Sequence, residues 1–133
     1  MIHGLSHITL IVKDIERTSE LFRNLFGAKE VYSSGERQYS ISKEKFFFIN
    51  DIWFAIMEGD PSGDRTYNHI AFRISEKDLD SYIQKITDLG LETRNGRNRV
   101  HGEGKSVYFY DYDNHLFELH TGSLEERMEL YKK

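Results

Sequence analysis

Two periods of apolar spacing alternate along this chain, and the alternation occurs twice. Residues 5–12, "LSHITLIV", form a β-branched, apolar-rich run that predicts a strand from Leu5 to Val12. The spacing then changes. Ile15, Thr18, Leu21, Phe22, Leu25 and Phe26 recur at helical intervals, which predicts one buried stripe. Asp14 stands where a helix cap is wanted, and Gly27 supplies the left-handed stop. Short strands are predicted near 29–34, 38–43, 46–49 and 52–58.

Residue 68 starts the pattern again. With residue 6 laid over residue 68, His7 falls on His69 and Ile8 on Ile70. "YNHIAFRI", residues 67–74, is the second strand, and Ser75 to Asp78 resembles a capping box with Asp in its third position. Leu79, Tyr82, Ile83, Ile86 and Leu89 make the second stripe, and Gly90 ends it. Strands follow near 91–94, 105–111 and 115–121, the last two joined by Asp113-Asn114, which is good turn chemistry. Ser123 opens a Ser-x-x-Glu box, predicting a C-terminal helix over 123–133.

The pattern predicts an α+β fold: one domain over 1–133, built of two tandem βαβββ modules at about 4–60 and 66–122. Neither module buries both faces of its sheet alone. Pairing of the two, within the chain or across a dimer, is expected to give a curved mixed sheet enclosing a ligand cleft.

Composition narrows the function. The 133 residues are 38 % hydrophobic and 30 % charged, as expected of a soluble globular protein, and the formal net charge of −4 argues against nucleic acid as a partner. The absence of cysteine removes disulfides, thiolate metal sites and a cysteine nucleophile, and agrees with a reducing cytoplasm. "MIHGLSHITL" predicts no secretory leader, and no run reaches the roughly 20 apolar residues of a membrane span. Aromatic content is 14 %, and much of it is expected in the core, but several tyrosines sit in polar company, where a hydroxyl could face a cavity.

The repeat itself suggests chemistry. Matching positions in two related modules can converge on the axis between them, which makes His7 and His69 natural co-ligands of one metal. Glu118, inside the apolar "HLFELHTG", is costly to bury unless paired or metal-bound. Two imidazoles and a carboxylate suit a divalent first-row cation. His3, His101, His115 and His120 compete for the role. His115 follows a turn and is expected to be solvated; His120 shares strand parity with Glu118 and is the strongest rival.

"LSHITLIVKD", "KEKFFF", "DRTYNHIAF" and "GEGKSVYFYDYDNHLFELHTGSLEERM" together resemble the fosfomycin-resistance proteins of the vicinal oxygen chelate superfamily, over essentially the whole chain. The branch most resembled is FosX, which hydrates the antibiotic's epoxide. The resemblance implies the paired βαβββ fold, a homodimer whose metal sites take ligands from both chains, and Mn²⁺ as the metal, with other divalent ions acceptable. It places His7, His69 and Glu118 on the metal and Glu44 as general base. It puts Thr9, Tyr108, Ser106 and Arg127 at the substrate, with Arg99 as a further cationic contact. Asn98 and Gly102 stand where the glutathione-using branch has a lysine and a serine, which speaks against its thiol chemistry. The implied reaction adds water to fosfomycin, giving a vicinal diol. Its rivals are thiol transfer to the same epoxide, metal-free sequestration of a drug, and a glyoxalase or ring-cleaving dioxygenase on the same fold.

Overall fold

The computed structural model describes residues 1–35, 41–94 and 102–132. It divides into two compact units, Met1–Gly63 and Asp64–Lys133, and each repeats the predicted βαβββ order.

Unit 1 runs β1 (His7–Val12), α1 (Ile15–Phe26), β2 (Lys29–Ser33), β3 (Glu44–Ile49) and β4 (Ile52–Glu58). The sheet order is β1-β4-β3-β2, with β1 parallel to β4 and the other pairs antiparallel. The parallel pair follows from the crossover helix, since only a long connection can return a strand in the same direction. Asp14 accepts a hydrogen bond from the Arg17 amide at 3.0 Å, and Gly27 takes the left-handed conformation at φ 64°. The predicted stripe is the core: Leu21, Phe22 and Leu25 are buried with Phe47, Phe54 and Ile56 of the sheet. Phe22 meets Phe47 and Phe54 edge-on at 5.5 and 5.8 Å, a geometry aromatic quadrupoles favour.

Unit 2 runs β5 (His69–Arg73), a 3-10 turn (Glu76–Asp78), α2 (Leu79–Asp88), β6 (Thr93–Arg94), β7 (Ser106–Tyr110), β8 (Leu116–His120) and α3 (Leu124–Tyr131). Its order, β5-β8-β7-β6, matches that of unit 1, with β5 parallel to β8. Ile86, Phe109, Phe117 and Leu119 form its core. Ser123 caps α3 as expected, accepting from the Glu126 amide at 3.1 Å; the Glu126 carboxylate accepts the Ser123 hydroxyl, where a capping box would use the Ser123 amide.

Several boundaries differ from the sequence reading. The first strand starts at His7, and Leu5 is exposed. Of the strand expected near 38–43, residues 36–40 lie outside the described set and 41–43 are not strand; β3 begins at Glu44 instead. Ser75 makes no side-chain cap, and a 3-10 turn precedes the helix. Asp78 is one methylene shorter than the glutamate a capping box uses to reach back. Ile83 of the second stripe is 37 % exposed, so α2 buries a narrower face than α1.

The strand near 91–94 is only Thr93–Arg94. His115 is half-buried rather than solvated: its Nδ1 meets Asp111 Oδ2 at 2.7 Å, and Asp111 also accepts the amides of Asp113 and His115. Burial opposes charging of this imidazole, but the bond and charge of Asp111, helped by Asp113, outweigh it and raise the pKa above the usual histidine value. Asn114 completes the turn at φ 67°, a left-handed conformation that asparagine tolerates. No helix among the described residues is long and apolar enough to cross a membrane.

Candidate metal centre

Strand register decides which side chains share a face, because residues directly opposite on neighbouring strands point the same way. In unit 2, His69, Leu116 and Tyr110 lie in one row, Ala71, Glu118 and Tyr108 in the next, and Arg73, His120 and Ser106 in the third. The other face carries the core residues Phe109, Phe117 and Leu119. Glu118 therefore sits mid-strand on the face away from the core and is still only 4 % exposed.

His69 and Glu118 meet as the donor set requires. His69 Nδ1 lies 2.7 Å from the Tyr67 carbonyl, an acceptor, so Nδ1 carries the hydrogen and Nε2 presents its lone pair. That lone pair faces Glu118 Oε1 at 3.1 Å. Two acceptors at this distance repel each other unless a proton or a metal cation joins them, and an imidazole held from behind by a carbonyl is the usual support of a metal ligand. The pair thus fits a divalent first-row cation.

The opposite carboxylate oxygen is held separately. Ser106 donates its hydroxyl to Glu118 Oε2 at 2.5 Å and lies 2.7 Å from His120 Nδ1. His120 Nε2 is 3.2 Å from Arg127 Nη2. Both ring nitrogens of the rival histidine are therefore engaged, one by Arg127 and one by the serine that holds Glu118. Arg127 comes from α3 and pairs with Glu103 at 3.7 Å; Glu103 is fully buried and also accepts the Tyr131 hydroxyl. A cavity of ≈300 Å³ opens between His69, Glu118, His120 and Arg127. Tyr108 is buried beside it, its ring packed edge-on to His69 with the centroids 5.4 Å apart, and its hydroxyl accepts that of Tyr67 at 3.0 Å.

The first unit carries the remaining expected residues on the equivalent face. His7, Trp53 and Phe48 form one row, Thr9, Ala55 and Phe46 the next, and Ile11, Met57 and Glu44 the third. The His7 ring packs on Trp53 at 4.2 Å, and its Nδ1 is 2.9 Å from the Ser6 hydroxyl. Thr9 is exposed. Glu44 is 9 % exposed, and its carboxylate has no hydrogen-bond partner among the described residues, although it lines a cavity of ≈580 Å³ with Ser34, Lys43 and Glu58. Strand alternation separates it from Lys45, which turns to the helix side and pairs with Glu16 and Glu30 at 3.2 and 3.0 Å.

Unit 2 thus assembles His69, Glu118, Ser106, Tyr108 and Arg127, while unit 1 presents His7, Thr9 and Glu44 on one face. Arg99 lies outside the described residues, as does His101. Among the described residues no group of three candidate ligands is gathered. Sequence reasoning missed Trp53, Tyr67 and Glu103. Glu103 had a signal, a carboxylate between two glycines; Tyr67 acts through a backbone carbonyl, which no residue type announces.

Known proteins resemble this chain over nearly its whole length. Residues 4–119 match the Glyoxalase/Bleomycin resistance protein/Dioxygenase superfamily. The chain is 59 % identical over 131 residues to the fosfomycin resistance protein FosX of Listeria monocytogenes, covering 98 % of each chain. A crystal structure of a FosX variant from the same organism, complexed with Mn(II) and 1S,2S-dihydroxypropylphosphonic acid, superposes with a TM-score of 0.91 at 56 % identity, covering 98 % of this chain and 99 % of that one. The metallothiol transferase FosB of Lysinibacillus sphaericus is 36 % identical over 136 residues, covering 99 % of this chain and 92 % of its own.

Proposed function

Because the chain belongs to the Glyoxalase/Bleomycin resistance protein/Dioxygenase superfamily, we propose that it is a Mn(II)-dependent epoxide hydrolase that inactivates fosfomycin by adding water to the oxirane ring. The observation that carries this reading is the His69–Glu118 pair, two acceptors aimed at one point in a cavity that also holds Arg127. The Listeria monocytogenes FosX variant holds 1S,2S-dihydroxypropylphosphonic acid, the type of product that water addition gives.

In this reading His69 and Glu118 ligate the metal, and His7 supplies the third ligand from the partner subunit of a cytoplasmic homodimer. Bound Mn(II) supplies Lewis acidity toward the ring oxygen, where negative charge develops as the ring opens. Arg127 engages the phosphonate through its planar fork, and the Tyr108 hydroxyl adds a neutral donor. Thr9 is a further substrate contact, as is Arg99. Ser106, expected at the phosphonate, serves Glu118 in the present geometry.

Water needs a base at neutral pH. Glu44 suits the task because it lines the unit 1 cavity and its carboxylate has no hydrogen-bond partner among the described residues, which leaves it open to accept a proton from water. It takes a proton from water as the oxygen bonds to an epoxide carbon; the carbon–oxygen bond of the ring breaks, and the ring oxygen is protonated to finish the diol. A thiol ionises more easily and has less use for such a base.

Phosphorus NMR of fosfomycin with the Mn(II)-loaded protein, with and without glutathione, tests the reading. Diol formation without thiol is the expected outcome. Turnover only with thiol would move the chain to the transferase type, and no turnover in either mixture would leave a metal-binding fold with another substrate.

A further inference from the structure

We propose that His120 is a positioning residue that ties Arg127 to the metal-ligating carboxylate of Glu118, through Ser106, in one directed hydrogen-bond chain. The inference deepens the metal-centre reading and rests on Glu118 being a ligand.

The direction of the chain is forced by chemistry. A guanidinium only donates, so at 3.2 Å from Arg127 Nη2 the His120 Nε2 must accept. The ring is then neutral with its hydrogen on Nδ1, and Nδ1 donates to the Ser106 oxygen at 2.7 Å. That oxygen, already accepting, turns its own hydrogen to Glu118 Oε2 at 2.5 Å. The direct approach of His120 Nδ1 to the same oxygen is 3.5 Å, so the serine is the working bridge. Every link polarises the next in the same sense, toward the carboxylate.

The surroundings are built for this geometry. A Cβ on Gly122 would stand 2.9 Å from His120 Nε2, so the glycine leaves that nitrogen uncrowded. Glu103 holds the other side of the guanidinium at 3.7 Å from Nε. Two consequences follow for the metal. Glu118 keeps Oε2 occupied by Ser106 and aims Oε1 at the point His69 faces. His120, with Nε2 accepting and Nδ1 donating, is withdrawn from ligation although it lies on the same face as Glu118. The chain thus decides which histidine serves the metal.

The test is Mn(II) affinity of the full-length, metal-stripped protein without substrate, read from the electron paramagnetic resonance signal of unbound Mn(II). Far-UV circular dichroism and melting curves establish that each variant is folded. Ser106→Ala and His120→Phe should each weaken Mn(II) binding by about tenfold, the low end for partners of metal ligands. The double variant should be no weaker than either single one, because either change breaks the same chain. His120→Asn, whose amide keeps a donor near the Nδ1 position, should stay within about threefold of the parent.

Parent-like affinity in Ser106→Ala or His120→Phe, or a double variant that multiplies the two losses, would overturn the proposal and leave His120 as packing. Should His120→Phe fail to fold, Ser106→Ala and His120→Asn decide between the same outcomes. Glu118→Gln separates the levels: if it too binds Mn(II) like the parent, the metal-centre reading has failed. If it alone is weakened, only the chain has failed.

Discussion

The two units share one scaffold and differ in the side chains it carries. Each has a histidine heading its first strand, and each pairs that strand in parallel with its fourth. The rows of the open face correspond position by position, yet their contents differ. Ala55 stands mid-strand in unit 1 where Glu118 stands in unit 2. Glu44 opens β3 where Ser106 opens β7, and Met57 faces Glu44 where His120 faces Ser106. Unit 2 therefore gives its acid a hydroxyl donor, whereas unit 1 leaves its acid unpartnered among the described residues. A carboxylate fixed by a donor and beside an imidazole nitrogen is suited to ligate a cation; one left without partners is suited to take a proton. Equivalent backbones thus yield different acid chemistry through the neighbours that register supplies.

Removing the ligand half should have the largest effect. His69→Ala is expected to abolish tight Mn(II) binding and lower fosfomycin hydration by at least about 10³-fold, since the metal supplies several kcal/mol to the transition state. Metal titration beside phosphorus NMR measures both, and parent-like metal affinity would show that the unit 2 histidine is not a ligand.

Glu44→Gln tests the other half. Hydration should fall by ~10²–10⁴-fold with Mn(II) and phosphonate affinity kept. Loss of metal binding together with activity would erase the division of labour between the units. Unchanged turnover would remove Glu44 from the reaction.

A structural contrast can be sharpened at Gly122, whose neighbour across the fold, Glu103, approaches so closely that an added Cβ would lie 2.7 Å from its carbonyl oxygen. Gly122→Ala should destabilise the protein by about 1–3 kcal/mol through overpacking against backbone. Gly27→Ala in unit 1 meets no atom within 4 Å, but its φ of 64° imposes backbone strain instead, on the order of 1 kcal/mol. Denaturant melts of both compare steric with conformational cost; equal, negligible effects would refute the close approach.

The smallest expected effect concerns the β7–β8 turn. The folded pKa of His115 is raised, so its ion pair with Asp111 contributes fully below the unfolded value, near 6.5, and is lost as pH rises through the folded pKa. Amide exchange in this turn, at Asp113 and His115, should lose protection over that window relative to the Asn50 turn of unit 1, which has no histidine. His115→Gln should remove the pH dependence; a slope that survives the substitution would assign it to other groups.

By itself the sequence determined the repeat, the buried stripe of α1 and the caps at Asp14 and Ser123, because these depend on spacing and local hydrogen bonding. It also singled out His69 and Glu118, since a matched histidine and a carboxylate in an apolar strand are anomalies visible in one dimension. Glu44 was not legible from its charged neighbours alone; it reads as a loop residue until β3 is seen to begin with it and alternation turns Lys45 to the opposite side. His120 looked like a competing ligand because parity is a sequence property. Only tertiary structure brought Arg127 from a separate helix to its Nε2 and Ser106 from the neighbouring strand to its Nδ1. Periodicity determines which side of a strand a residue occupies; what that residue does there depends on partners distant in sequence, and those are set by register and by the packing of the chain upon itself.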